Sequence, residues 1–106
     1  MILTVSLEDQ LFDIDVPEKL IADAEDFYAK LDHDMDQGWQ ISRYWVENPD
    51  LQQRCQIVAE KIGNALFDNN QNMAMLMAGY ILSRASDIQS VNIDTSGDIT
   101  QTEFLL

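Results

Sequence analysis

The longest uncharged apolar run of the sequence covers ten residues, from Met73 to Leu82. On a helix, this run places apolar side chains on nearly every side, and a helix of that kind lies in the interior of a protein. A bilayer-spanning helix requires about 20 apolar residues, so the run is too short for that role. The sequence therefore predicts a buried helix from Met73 to about Arg84, at the centre of the fold.

Alternation of apolar and polar residues predicts β-strands near both ends of the chain. Residues 2–16 alternate on either side of Glu8-Asp9-Gln10, which indicates a β-hairpin whose turn contains neither Gly nor Asn. Ser90 to Asp94 and Ile99 to Phe104 predict two further strands around a turn at residues 95–98. We therefore expect one hairpin at each end of the chain.

Helical spacing predicts two more helices between the hairpins. The first begins at Pro17, runs through Met35 and stops at Gly38. The second begins at Asn48-Pro49-Asp50, which offers a capping side chain, a proline and an acid near the positive end of the helix dipole. Its predicted buried stripe consists of Leu51, Cys55, Val58, Ile62, Ala65 and Leu66.

These elements follow in the order β-β-α-α-α-β-β. The economical assembly is a single α+β domain over residues 1–106, with two β-hairpins in antiparallel sheet packed against three helices. The sequence leaves open whether the two hairpins share one sheet.

The charge of the chain is strongly negative and unevenly distributed. Asp and Glu number 19 against 6 Lys and Arg, for a net charge of −13 at pH 7. Residues 8–36 carry a net charge of −9, whereas residues 37–86 balance at zero. Nucleic acids and anionic membranes are themselves polyanions, so neither is expected as a partner. A basic protein is the complementary partner.

Residues that commonly carry catalysis are scarce in this sequence. It has no Gly-rich phosphate loop and no Cys-x-x-Cys or His-Glu-x-x-His motif. Its single histidine, His33, lies between two acids that favour the charged imidazolium, whereas an activating base must be neutral. Its single cysteine, Cys55, falls on a buried stripe. We expect no catalytic residue and no cofactor, and residues 1–7 lack the features of a signal peptide, so a cytoplasmic location is expected.

Residues 92–103 resemble the calcium-binding loop of the EF-hand family. Oxygen-bearing side chains occupy the ligand positions Asn92, Asp94, Ser96, Asp98 and Glu103, with Gly97 at the position of the sharp turn. Asn and Ser replace charged ligands, however, and only three residues follow Glu103, too few for the exiting helix. A plain hairpin turning at Ser96-Gly97 is favoured, with calcium binding as the alternative.

Both tryptophans fall in a short aromatic segment, residues 38–46, that follows the acidic block. Such residues either close the core beneath a connecting segment or form an exposed anchor, since Trp, Tyr and Arg dominate binding hot spots.

These observations favour a non-enzymatic interaction or regulatory module with an acidic face for a basic protein partner. The residues expected at the partner are Asp23, Glu25, Asp26, Asp32, Trp39, Tyr44 and Trp45. A calcium-responsive protein and a carboxylate-based hydrolase or transferase are the alternatives, and self-association remains open.

Overall fold

Six strands and four helices make up the α+β fold of the computed structural model, which describes all of residues 1–106. In chain order they are β1 (Ile2–Leu7), β2 (Gln10–Asp15), α1 (Glu18–Asp23), α2 (Glu25–Asp36), β3 (Trp39–Ile41), β4 (Tyr44–Val46), α3 (Leu51–Phe67), α4 (Gln71–Arg84), β5 (Ser90–Asn92) and β6 (Glu103–Leu105). A single turn of 3₁₀ helix, Ile99–Gln101, precedes β6. The predicted α+β class is confirmed.

The two terminal hairpins share one sheet. β1 pairs antiparallel with β2, β5 pairs antiparallel with β6, and the central pair β1–β5 is parallel, so the strand order is β2-β1-β5-β6. Leu3, Val5 and Leu7 of β1 face the helices and are buried. The alternate residues Thr4 and Ser6 face away from them. The period of two in the sequence thus produces one covered and one open face.

The apolar helix predicted from Met73 to Arg84 is central, as expected. It is α4, which begins two residues earlier, after Asn70 caps its first turn by accepting a hydrogen bond from the Met73 N–H at 3.1 Å. It joins α3 and the sheet in one core cluster of 23 buried residues. Ile81 is completely buried, whereas Leu76 is only partly so. None of the helices combines the length and apolar character that crossing a bilayer would take.

Three details of the predicted helices are corrected. The helix expected from Pro17 onward bends at Ala24, whose φ of −92° and ψ of 6° separate α1 from α2. The cap of α3 is Asp50 rather than Asn48: Asp50 accepts from the Gln53 N–H, and the Gln53 side chain accepts from the Asp50 N–H. Leu51, placed on the buried stripe, is 47% exposed because it lies in the first turn of α3, at the edge of the core.

The aromatic segment forms a hairpin that the sequence analysis did not predict. β3 and β4 pair antiparallel, with Trp39 opposite Val46 and Gln40 opposite Trp45. The C-terminal strands are also shorter than predicted, because residues 93–102 between them form a long connection that includes the 3₁₀ turn. The turn at Ser96-Gly97 is therefore not a tight hairpin turn.

Candidate functional site

The acidic residues of positions 8–36 divide into two sets with different surroundings. Three of them, Glu25, Asp32 and Asp36, form ion pairs with arginines and are called the network acids below. Seven others, all solvent-exposed, are called the exposed acids: Glu8, Asp9, Asp13, Asp15, Glu18, Asp23 and Asp26. Asp34, on α2, is exposed as well. The two sets differ in whether their carboxylates are paired with arginines.

Asp32 is the centre of the network, between α2 and α4. Its Oδ1 accepts a hydrogen bond from the Tyr80 hydroxyl at 2.5 Å, and its Oδ2 accepts one from Nε of Arg84 at 3.0 Å. Arg84 also donates from both terminal nitrogens to the carboxylate of Glu25, each at 2.9 Å. Its guanidinium lies beside the rings of Tyr28 and Tyr80. A bidentate pair of this kind fixes the orientation of both side chains.

Arg54 extends the same network to α3. It donates to Asp32 at 3.4 Å and to Asp36 at 2.6 Å, and its Nε donates to the carbonyl of Pro49 at 2.8 Å. A further bond reaches Oδ1 of Asn48 at 2.9 Å. Arg54 thereby ties α2 to the segment before α3. Two of the six Lys and Arg residues of the chain are held inside this network.

The pKa values of the network follow from these contacts. Burial alone would raise the pKa of Asp32, but hydrogen bonds from Tyr80 and Arg84 outweigh burial and hold the pKa below its ordinary value. Burial, followed by the hydrogen bond to Asp32, raises the pKa of Tyr80. The hydrogen bond from Arg84 lowers the pKa of Glu25. At neutral pH the carboxylates of Asp32 and Glu25 are therefore charged, and Tyr80 keeps its proton and donates a hydrogen bond to Asp32.

The exposed acids, by contrast, have few cationic neighbours. Asp23 is paired with Lys19, one helical turn away, at 3.3 Å in full solvent. Asp15 lies 3.7 Å from the amino group of Met1. Asp13 accepts a hydrogen bond from the Thr4 hydroxyl at 2.8 Å, a neutral donor. Exposed pairs of this kind contribute little, and most of the exposed acids have no cationic partner, so their negative charge is largely uncompensated.

The turn between β1 and β2 carries two of the exposed acids in an unusual backbone conformation. Glu8 and Asp9 have φ values of 49° and 65°. A two-residue hairpin turn with positive φ at both central positions normally contains Asn-Gly or Asp-Gly, because a side chain is disfavoured there. Glu8 therefore places a carboxylate at a position whose positive φ favours Asn, Asp or Gly.

The aromatic hairpin β3–β4 is half buried and half open. Trp39 packs against the core, with Nζ of Lys61 5.1 Å from the centre of its ring. Tyr44 and Trp45 are 73% and 59% exposed. The ring of Trp45 lies over Gly38, leaving no room for a Cβ there. Trp39 therefore packs against the core, as one interpretation of the aromatic segment expects, whereas Tyr44 and Trp45 are exposed, as the other expects.

The structure does not bring the predicted partner-binding residues together as one surface. Asp32, predicted on the solvent-exposed face of its helix, is instead 28% exposed and bonded within the network. Glu25 is also bonded within the network, to Arg84, but its side chain stays exposed. Asp23 and Asp26 are exposed beside the start of α2, whereas Tyr44 and Trp45 lie in β4, in the hairpin that follows the end of α2. Sequence reasoning also missed Arg54, Tyr80 and Arg84, since only tertiary contact reveals them.

Residues 92–103 use their oxygens within their own loop. Oδ2 of Asp94 accepts hydrogen bonds from the N–H and the hydroxyl of Ser96 and from the Asp98 N–H. Asp98 accepts from Thr100 and from the Ser42 hydroxyl, and these bonds lower the pKa of Asp98. Glu103 lies in β6, opposite Asn92. No three acidic, histidine or cysteine side chains in the chain form a group that could hold a metal ion.

Cys55 and His33, the two residues considered for nucleophilic chemistry, are far from reactive arrangements. Cys55 is completely buried, as predicted, and burial raises the pKa of its thiol to about 12. A thiol with that pKa is protonated at neutral pH and is a poor nucleophile. His33 is exposed on α2 and takes part in no hydrogen bond with another side chain.

Comparison of this chain with protein-family models, with curated proteins and with solved structures found no match.

Proposed function

We propose that this protein is a non-enzymatic interaction or regulatory module that presents the exposed acids to a basic protein partner in the cytoplasm. The observation that carries this proposal is the division of the acids into two sets. Arg54 and Arg84 are bound by the network acids. The only ion pairs of the exposed acids are those of Asp15 with the amino group of Met1 and of Asp23 with Lys19, so most of their charge is uncompensated. A basic partner is the complement of such a surface, and long-range attraction speeds the encounter.

The turn residues Glu8 and Asp9 support the same proposal. Their positive φ values disfavour a long side chain. Backbone conformations of this kind are enriched where function rather than stability selects the residue. An acidic side chain at this turn extends the exposed acids to the tip of the hairpin.

Glu25 and Asp32 are assigned to the network rather than to the partner, because their oxygens already accept hydrogen bonds from Arg84 and Tyr80. Asp23 and Asp26 remain in the proposed surface. Tyr44 and Trp45 provide a second, separate contact point of the aromatic type that dominates binding hot spots. Trp39 belongs to the same hairpin and packs against the core.

The test uses a fluorescent decalysine peptide and a neutral peptide of equal length. We expect the wild-type protein to bind decalysine in low salt and to release it as ionic strength rises, since the Debye length falls from about 10 Å at 0.1 M to about 3 Å at 1 M. A double variant, Asp23→Lys with Asp26→Lys, is expected to fold and to bind about tenfold more weakly.

The matched control moves the same charge elsewhere. Asp68→Lys with Asp87→Lys alters two exposed acids outside the block and produces the same net charge. Equal weakening in both double variants would show that only total charge matters, and the proposal of a localised acidic face would be abandoned. The native partner is then sought by copurification from native extract with the wild type and with the Asp23/Asp26 variant.

A further inference from the structure

Strand β2 forms one edge of the sheet and is unusually regular for an edge. It is six residues long, and its pairing with β1 continues from Ile2–Asp15 to Leu7–Gln10 without a bulge. The other edge strand, β6, has three residues. Natural proteins usually shorten, bend or cover an exposed edge, because its free backbone groups bind other strands. β2 contains neither a bulge nor a proline.

The backbone groups at this edge can be identified from the hydrogen-bond alternation of the hairpin. Val16 donates to the carbonyl of Met1 at 2.7 Å, and the amino group of Met1 donates back at 3.0 Å. In an antiparallel pair, bonded and non-bonded residue pairs alternate, so Ile14, Phe12 and Gln10 bond to β1. The N–H and C=O groups of Leu11, Asp13 and Asp15 therefore point away from β1, to the free edge.

An apolar groove runs along this edge on the helix side of the sheet. It encloses about 530 Å³ between β2, α4 and the end of α3. Six of its nine lining residues are apolar, and the other three are Asp13, Asp15 and Gln71. The apolar ones are Leu11, Phe12, Ile14, Leu66, Ala74 and Met75. Phe12 and Ile14 are only partly buried, although they face the core. One more strand beside β2 would continue the sheet and would cover the side chains of Phe12 and Ile14.

The two faces of that missing strand have opposite chemistry. Side chains pointing to the helix side would enter the apolar groove. Side chains pointing to the open side would lie beside Asp13 and Asp15, which are exposed on the outer face of β2. Residues in a strand alternate between the two faces. The complementary segment therefore alternates apolar and basic residues.

A second copy of this chain does not meet that requirement. If β2 paired antiparallel with another β2, the register centred on Asp13 would place that aspartate opposite its own counterpart. The register centred on Ile14 would place Asp13 opposite Asp15. Like charges directly opposite each other destabilise a pair of strands, so the aspartates disfavour these two registers. The register centred on Phe12 avoids that contact by placing Asp13 opposite Leu11. β2 contains no Lys or Arg, however, so in no register does a second copy place a basic residue beside Asp13 or Asp15.

We propose that the free edge of β2 and the adjoining apolar groove bind an extended segment of a partner protein, with alternating basic and apolar residues, as an added fifth strand of the sheet. This proposal rests on the proposed function and specifies the form in which the basic partner binds. Main-chain hydrogen bonds to Leu11, Asp13 and Asp15 supply affinity, while the groove and the two aspartates select the side chains.

The probe is an alternating lysine–valine peptide of about seven residues, the usual length of a strand. The control peptide has the same composition with all lysines preceding the valines. We expect the alternating peptide to slow amide hydrogen exchange at Leu11, Asp13 and Asp15, whose N–H groups are free in the unbound protein. Exchange at Phe12 and Ile14 is slow in both states, because those groups already bond to β1.

Two substitutions at one position separate main-chain bonding from charge. Asp13→Pro removes an outward N–H that the fold does not use, at an edge position where proline is tolerated. Asp13→Thr removes the same charge but keeps the N–H. Binding of the alternating peptide is expected to fall about tenfold more in the proline variant than in the threonine variant. Equal affinities in two variants that melt like the wild type would refute strand addition.

The remaining outcomes distinguish this inference from the proposed function. Binding of both peptides without amide protection at β2, with shifts at Asp23 and Asp26, would overturn strand addition and leave the acidic surface intact. Binding of neither peptide in low salt would overturn both. Protection at β2 that grows with protein concentration and needs no peptide would make a second copy the occupant, and the inference of a basic partner strand would be wrong.

Discussion

The network acids and the exposed acids belong to one stretch of sequence, yet they affect the protein in opposite ways. Asp32 accepts hydrogen bonds from Arg54 of α3 and from Tyr80 and Arg84 of α4, and so links α2 to both helices. Asp23 and Asp26 face water and repel one another. The comparison shows that a carboxylate's effect on folding depends on what its oxygens contact. We therefore expect that removing Asp32 weakens the fold, whereas removing an exposed acid leaves it unchanged or strengthens it.

A carboxylate in a third environment, the apolar core, gives the largest expected effect. Ile81→Asp places a charge at a completely buried position of α4, where no arginine is paired with it. The cost of an unpaired buried charge is several kcal/mol, against a total stability of about 5–15 kcal/mol. We expect an unfolded protein by circular dichroism. Leu76→Asp, at a half-buried position, is expected to destabilise less, and a native melting curve for Ile81→Asp would place α4 outside the core.

Replacing the central network acid is expected to cost about 2 kcal/mol in urea unfolding, because Arg84 and Tyr80 lose a charged acceptor in a partly buried site. The substitution is Asp32→Asn. Asp26→Asn, the matched change among the exposed acids, is expected to leave the urea midpoint nearly unchanged. If the two variants unfold at the same urea concentration, Asp32 and Asp26 contribute equally to stability, and the division into two sets does not describe a difference in stability.

Lowering the pH should remove the stabilisation of the fold by the Asp32 carboxylate without a mutation. The pKa of Asp32 is lower in the folded protein than in the unfolded chain. Its stabilisation is therefore complete above the unfolded pKa, about 3.9, and is lost as the pH falls through the folded pKa. We expect the urea midpoints of wild type and Asp32→Asn to differ at pH 6 and to converge as the pH falls below the folded pKa of Asp32. A constant difference across that range would contradict the assignment.

At the β1–β2 turn, exposed acids are expected to reduce stability through the backbone. Replacing Glu8→Asn together with Asp9→Gly supplies residues that accept the observed φ values of 49° and 65°. The double variant is expected to be more stable by about 1 kcal/mol, and to bind decalysine more weakly. Decreased stability on thermal melting would mean that the turn does not adopt this conformation in solution.

The smallest expected effect concerns repulsion among the exposed acids of the helices. Asp23→Lys with Asp26→Lys breaks the exposed Lys19–Asp23 pair, which contributes little. It also relieves repulsion within a block of net charge −9, so the melting temperature should rise by about 2 °C in low salt. The gain should disappear at about 1 M salt, where screening removes the repulsion. Asp68→Lys with Asp87→Lys serves as the control, because those acids lie outside the block. A salt-independent gain would point to helix propensity instead of charge.

Elements with a sustained period were predictable from the sequence. The β1–β2 hairpin and α4 follow from six or more residues of consistent pattern. The β3–β4 hairpin was missed because three residues are too few to show a period, and its turn carries Ser42 at a φ of 54° without a glycine. Leu51 was misplaced because periodicity assigns a face to a residue without showing where the core ends.

The roles of the acids were not predictable by the same means. Asp32 and Asp26 look alike on the sequence, and both belong to the polar side of one helix. Tyr80 and Arg84, the partners that distinguish Asp32, lie 48 and 52 residues away along the chain. No local pattern encodes such a contact. The free edge of β2 was likewise hidden, because pairing between β1 and β5 decides which side of the hairpin remains open.

The parallel pairing of β1 with β5 also affects how the chain folds during synthesis. β1 and β2 are synthesised before β5, which begins only at Ser90. Contacts between segments so distant in sequence close slowly, because a long loop must be ordered before they form. Until then both edges of the nascent hairpin are open. The aspartates of β2 therefore protect one edge during this interval, and β1 relies on the arrival of β5 to protect the other.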